Sequence, residues 1–402
     1  MVRDVGLAED LAQDALLAAL EKWPQSGVPD NPGAWLMATA KNRAIDQLRR
    51  GQTLERKQAQ LARDIEIELG APAPDLDAAI DDEVGDDLLS LVFTTCHPVL
   101  STEARIALTL RLLGGLTTPE IARAFLAGEP TVAQRIVRAK RTLAEAHVPF
   151  EVPAGEELGA RLASVLEVVY LIFNEGYSAT AGDDWMRPSL CNEALRLGRI
   201  LAGLMQKEPE VHGLVALMEI QASRIRARTG PGGEPVLLLE QDRSRWDRLL
   251  IARGLAALKR AEAVGPFGRY ALQAAIAACH ARARTAAETD WIRIAALYDA
   301  LSQLAPSPVV ELNRAVALTM AFGPQAGLEL VDTLLEEPSL QGYHLLPSVR
   351  GDLLARLGRY AEAHAEFTRA ASLTHNERER QLLRARAAAC AWEAPPANRP
   401  QP

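Results

Sequence analysis

The chain has 402 residues, 48% hydrophobic and 24% charged, with 44 Lys and Arg against 52 Asp and Glu, a formal net charge of −8. That composition excludes a disordered chain, and the length exceeds one ordinary core, which points to roughly two to four domains. The cysteines Cys96, Cys191, Cys279 and Cys390 form no CxxC pair, which argues against a disulfide framework or a zinc site and suits a reducing cytoplasm.

The opening MVRDVGLAED has no apolar run after Arg3 and does not read as a signal peptide. The most apolar stretch, VLEVVYLIF at 165–173, has half the length of a membrane span and contains Glu167. These features predict a soluble cytoplasmic protein. Net acidity does not exclude a nucleic-acid partner, because phosphate binding depends on local charge.

Almost every segment reads as helix: apolar residues recur at three and four, and Ala and Leu abound. A first helix is expected over 7–23, with Asp10, Asp14 and Glu21 on one stripe and a wide apolar arc of Leu16, Leu17, Leu20 and Trp23 with Ala12 and Ala19. The second, over 33–50, has Asn31 as its N-cap and Pro32 in its first turn. It carries a basic face of Arg43, Gln47 and Arg50 opposite Ala34, Ala38, Ile45 and Leu48. From Asp64 to Asp87 come ten acidic residues and no basic one, with Gly70, Pro72 and Pro74 among them, the signature of a linker.

Residues 91–148 read as a compact helical unit. Its support helix runs from Ser101 to Leu113, with Ile106, Thr109, Leu110 and Leu113 on one side, and ends in Gly114–Gly115. LTTPEIARAFLAGEPTVAQRIVRAKRTL (116–143) then reads as a helix–turn–helix. Thr118 is expected to cap its first helix, with Pro119 in the first turn and Glu120 beside the positive helix end. Residues 126–130 form the turn and 131–143 the second helix. At 100° per residue, Val132, Ile136, Ala139 and Leu143 share the buried face, and Gln134, Val137, Arg138 and Arg141 lie opposite. That outward face suits a major groove: Arg138 for a guanine edge, Gln134 for an adenine, and Arg135, Lys140 and Arg141 for phosphates.

An acidic face, a basic helix and a distant helix–turn–helix on a tether together resemble a bacterial RNA polymerase sigma factor of the sigma-70 family, extracytoplasmic-function type. The resemblance covers 1–148. It implies an all-α fold of two small sigma domains, region 2 over 1–60 and region 4 over 91–148, joined by an acidic linker over 61–90. Asp10, Gln13 and Asp14, with Glu21 on the same stripe, resemble the surface that docks on the β′ clamp coiled coil of core RNA polymerase. The β flap is the second expected polymerase contact. Trp35, Leu36, Ala40, Asn42, Asp46 and Arg49 match the pattern that melts and reads the −10 element, with Arg43, Gln47 and Arg50 beside them, and residues 24–31 correspond to the loop that captures a flipped base. Leu116, Glu120, Ile121, Ala122, Thr131, Val132, Arg135, Arg138, Ala139 and Leu143 fall on the −35 reader's pattern, which places Thr131, Ala133, Gln134, Arg135, Val137, Arg138, Lys140 and Arg141 at promoter DNA. Met1 stands where a preceding helix should end, so region 2.1 is expected to be missing or shortened and one of the leucines in the first helix to face water.

The long C-terminal part resembles a subgroup with a tetratricopeptide-like extension, encoded near small DGPF/YCII-type proteins, which are the partners that the resemblance implies. A helical extension is expected over 152–290, tetratricopeptide-like repeats over 291–390 and a disordered tail over 391–402. Gly351, Gly358, Tyr360, Ala363, Phe367 and Ala370 fall at the spacing of such helix pairs, with Ala315, Gly327 and Leu334 one unit earlier and Tyr298 and Pro306 closing a third.

Other chemistry is absent. Cys96–His97 has no second pair at ligand spacing and reads as packing or capping. FNEGYS (173–178) reads as a helix stop at Gly176, or more sharply as a contact between extension and sigma domains, with Asp183, Asp184 and Trp185 capping the next helix. No phosphate loop or nucleophile–base set occurs, so neither an enzyme, a cofactor nor a metal is expected. The alternatives are a helix–turn–helix regulator that binds DNA alone and a helical-repeat adaptor.

Overall fold

The computed structural model describes residues 5–29, 31–51, 87–125, 127–179 and 186–393. The expected linker is largely outside that set, as are Asp183, Asp184, Trp185 and the tail from residue 394. Among the described residues the regular elements are helices, joined by one isolated antiparallel bridge, Thr229–Pro235. The chain divides into two compact units, Met1–Thr118 with Pro130–Val165, and Pro119–Glu129 with Leu166–Pro402.

The first unit opens with a hairpin of α1 (Val5–Ser26) and α2 (Pro32–Gly51). Pro32 starts α2 because its missing N–H falls where no helical partner exists, and the Asn31 carbonyl accepts from Trp35 N at 3.2 Å. The buried face of α1 is narrow and mostly alanine: Leu11, Ala15, Ala18 and Ala19. Leu16, Leu17 and Leu20 are exposed, Leu20 at 73%, as expected from an apolar arc wider than one neighbouring helix covers.

The rotation of α2 differs from the sequence expectation. Ala38, expected on the packed side, is exposed, whereas Trp35, Leu36, Thr39, Ala40 and Arg43 are half-buried. Two contacts set this rotation: Trp23 and Trp35 meet edge to face with centroids 5.5 Å apart, and Arg43 Nη1 lies 3.1 Å from Asp14 Oδ2. A tryptophan pair outweighs one alanine in buried area.

Next along the chain come α3 (87–95), α4 (Thr102–Leu112), α5 (Thr118–Ala124), which from Pro119 belongs to the second unit, and α6 (Glu129–Glu145). Thr118 is already helical, one residue earlier than a cap at that position allows. α4 is capped by Ser101, whose hydroxyl accepts from Ala104 N at 3.3 Å. Its buried surface is broader than the expected single side: Ala104, Arg105, Ala107, Leu108, Thr109 and Leu110 are buried, while Ile106 and Leu113 are half-buried.

The reason is α7 (Glu156–Tyr177), whose first half belongs to the same unit. Arg161 Nη2 donates to Phe93 O at 3.1 Å, Ser164 Oγ donates to Cys96 O at 2.6 Å, and Arg105 Nη1 donates to Ser164 Oγ. Leu162 and Val165 are buried beside them. Cys96–His97 is structural: the buried Cys96 thiol is 3.4 Å from Thr109 Oγ1, and His97 Nδ1 accepts from Val99 N. Burial raises the Cys96 pKa and lowers that of His97.

The second unit continues with the rest of α7, then α8 (Pro188–Leu204), α9 (Pro209–Ala222), α10 (Arg248–Val264), α11 (Arg269–Arg282), α12 (Trp291–Leu304), α13 (Pro308–Phe322), α14 (Pro324–Thr333), α15 (Leu345–Arg356), α16 (Tyr360–Leu373) and α17 (Glu377–Glu393). α9 is buried over nearly its whole length, from Val211 to Ala222. Gly176 is not a helix stop, since α7 runs on to Tyr177. A Cβ there would come within 2.6 Å of Cys191 N and 2.9 Å of Arg187 O, so the glycine admits the backbone that enters α8. Glu175 beside it pairs with Arg187 inside this unit.

The expected division at residue 290 is not a gap in the core. One apolar cluster joins Leu272, Ile276 and Cys279 to Ile294, Leu301 and Ala317. A second unites Leu312, Ala315, Leu328, Val331 and Leu334 with Leu353, Ala363, Phe367 and Ala370. Helix pairing there follows the small-residue spacing: a Cβ on Gly351 would sit 3.0 Å from the Phe367 ring.

Candidate nucleic-acid interface

α6 carries the site. Its four buried residues are Val132, Ile136, Ala139 and Leu143, the face expected from the helical period. Burying the three larger side chains contributes about 1.5–3 kcal/mol each, which fixes the rotation of the helix. Thr131, Ala133, Gln134, Val137, Arg138 and Arg141 are consequently exposed, and Arg135 and Lys140 half-buried. All eight expected −35 residues thus share the solvent side or its margins.

Arg138 has no ion-pair partner among the described residues, so its five donors are available. Arg141 Nε is held 2.8 Å from Glu145 Oε1, an exposed pair worth little and easily exchanged for a phosphate. The helix is two residues longer at each end than expected, running from Glu129 to Glu145.

Beside the helix lies a groove of about 390 Å³ lined by Ser101, Ala104, Thr131, Gln134, Arg135, Arg138 and Thr142. Ser101 and Thr142 were not singled out by sequence; the signal for Ser101 was its position as the α4 cap. The start of α4 places its positive helix end beside Arg135 and Arg138, an arrangement that attracts a phosphate. Glu103 at that end has its pKa lowered, first by a hydrogen bond with its own backbone and the Ser101 hydroxyl, then by nearby Arg135.

In the hairpin, Gln13 and Glu21 are exposed and Asp14 is half-buried against Arg43. Trp35 is half-buried against Trp23. Asp10 lies on α1, and Asn42, Asp46, Gln47, Arg49 and Arg50 on α2, but their side chains are outside the described set. Among the described residues there is no cluster of His, Cys, Asp and Glu that could hold a metal ion, and no helix is long and apolar enough to cross a membrane.

Comparison with known proteins decides what this arrangement belongs to. Residues 1–53 match Sigma-70 region 2 and residues 90–143 match Sigma-70, region 4. The chain belongs to the sigma-70 family. Residues 161–262, within the C-terminal extension of this sigma-70 protein, match a family of unknown function, DUF6596. An uncharacterized protein of Rhizobium meliloti (strain 1021) is 44% identical over 383 residues, 95% of this chain and 89% of the relative, so the sigma regions and the extension occur together there too. No solved structure matches. The sigma-70 regions imply core RNA polymerase and promoter DNA as partners and a role in transcription initiation.

Proposed function

We propose that the chain is a sigma factor of the extracytoplasmic-function type that acts in the cytoplasm, recruits core polymerase through the α1 face of Asp10, Gln13, Asp14 and Glu21, and reads a two-box promoter. The observation that carries the −35 half is the rotation of α6: its apolar face is buried, and Gln134, Arg138 and Arg141 are turned outward. Arg138 and Gln134 read base edges, while Arg135, Lys140 and Arg141 hold phosphates. α2 reads the −10 element with Trp35, Asn42, Asp46 and Arg49.

The C-terminal helices regulate this activity in the same molecule, with repeats of the tetratricopeptide kind over 291–390 as the surface for a protein partner. In vitro transcription with purified core RNA polymerase tests the reading. Initiation from a two-box promoter supports it, and specific DNA binding without polymerase-dependent initiation replaces it with a helix–turn–helix regulator.

A further inference from the structure

A groove of about 790 Å³ in the second unit is formed by α8, α9 and α10. The sigma reading makes no use of it. Three guanidinium groups line it, from Arg199, Arg253 and Arg260, against the single carboxylate of Glu219. The local charge is therefore positive in a chain of net charge −8. Arg253 and Arg260 are exposed and have no ion-pair partner among the described residues. They stand seven positions apart on α10, about 10 Å along its axis, so both reach one small molecule lying in the groove. The wall behind them is apolar, with Val215 and Ala257.

Glu219 provides the second, independent observation. It is only 2% exposed. Its Oε1 accepts from Arg199 Nε at 2.7 Å, but its Oε2 is buried without a hydrogen-bond partner. An unsatisfied carboxylate oxygen at that depth is costly, because it has lost its water without gaining a donor. A ligand that donates an N–H or O–H to it removes the cost. The groove thus offers two unlike ends: free guanidinium groups that hold an anion, and a carboxylate oxygen that calls for a donor.

We propose that this groove is the binding site of a small anionic metabolite that also carries a hydrogen-bond donor. Its phosphate or carboxylate lies between Arg253 and Arg260, and its hydroxyl or ammonium group reaches Glu219 Oε2. The four charged residues all fall within the stretch matching the family of unknown function, so the site gives that part of the chain a ligand class. The inference does not rest on promoter reading, and its failure leaves that reading untouched.

Calorimetric titration of the full chain at low ionic strength tests it with four probes: inorganic phosphate, glucose 6-phosphate, L-glutamate and uncharged glucose. The first two separate a lone anion, whose P–OH sits on the group that the arginines hold, from one with hydroxyl donors apart from its phosphate, and L-glutamate separates a carboxylate source from a phosphate one. Glucose 6-phosphate or L-glutamate is expected to bind about tenfold more tightly than inorganic phosphate, and glucose not at all. The double variant Arg253→Ala, Arg260→Ala, which alters only exposed side chains, is expected to weaken that binding about tenfold or more while the melting temperature without ligand stays unchanged. Absence of binding by both donor-bearing probes overturns the proposal. So does binding that the double variant leaves intact, and so does equal affinity for inorganic phosphate, which removes the Glu219 contact.

Discussion

Replacing Ser164 with alanine removes one oxygen that joins three elements of the region 4 unit. Its hydroxyl accepts from Arg105 Nη1 and donates to Cys96 O at 2.6 Å. All three residues are buried. After Ser164→Ala the Cys96 carbonyl and one guanidinium N–H each lose a partner, at about 1–3 kcal/mol apiece, the charged group nearer the top of that range. Arg105 keeps its bond to Thr102 Oγ1 at 3.0 Å, so the total should fall near 2–4 kcal/mol, a large share of the ~5–15 kcal/mol that holds an ordinary domain together. Hydrogen exchange read by mass spectrometry on the peptide covering α4 measures this in the full chain, and 2 kcal/mol corresponds to a rise of about 30-fold in exchange rate. Changing Arg105→Met in the same background should recover part of the loss, because removing both partners costs less than stranding one. If Ser164→Ala shifts α4 exchange by less than about 0.5 kcal/mol, the first half of α7 does not clamp region 4 and the argument fails.

Arg138→Ala is expected to cost about 1–3 kcal/mol and to relax preference at one −35 position, while Lys140→Ala weakens binding evenly across a promoter library; identical profiles for the two refute the face assignment. Reversing Asp10 and Asp14 to Lys should abolish co-purification with core polymerase. Arg43→Ala is the control for the Asp14 partner lost in that variant, since so exposed a pair adds at most about 1 kcal/mol, and retained co-purification after the reversal rules the docking face out. His280 is buried, and that burial, followed by the charges of Arg224 and Arg243, lowers its pKa to about 3. A depressed histidine supports the fold above its unfolded pKa near 6.5 and withdraws that support as pH falls toward 3, which is about 2 kcal/mol at pH 5. His280→Phe should flatten the acid limb of unfolding followed by the fluorescence of Trp291, whose ring lies 5.1 Å from the imidazole; an unchanged limb refutes it. A chain ending at Pro149 should unfold region 4 at lower urea than one ending at Tyr177, because only the latter keeps Arg161, Leu162, Ser164 and Val165, and equal midpoints refute this.

The α6 face was legible because four apolar residues at helical spacing leave only one low-energy rotation, and the structure buries those four. The face of α2 was not. Alanines at 34 and 38 mark either side of a helix equally well, and a Trp–Trp contact with a cross-helix ion pair decided the rotation. The clamp on region 4 was illegible for another reason. Arg105, Arg161 and Ser164 are polar side chains that nothing in the helical period marks as buried, and only their convergence from α4 and α7 shows that they are. Gly176 misled because glycine ends helices and also admits close backbone approach, and the spacing of FNEGYS does not distinguish the two.

The four cysteines are all buried, Cys96 in the first unit and Cys191, Cys279 and Cys390 in the second. Burial raises the Cys191 pKa to about 12 and pushes Cys96 and Cys279 the same way. Only the thiolate reacts, so alkylation of the native protein at neutral pH waits for a local opening. Because the thiols are distributed between the two units, the mass gained at Cys96 times the breathing of the first unit, and the mass gained at the other three times that of the second. The molecule thus carries two clocks of its own, which report on each half without any label being introduced.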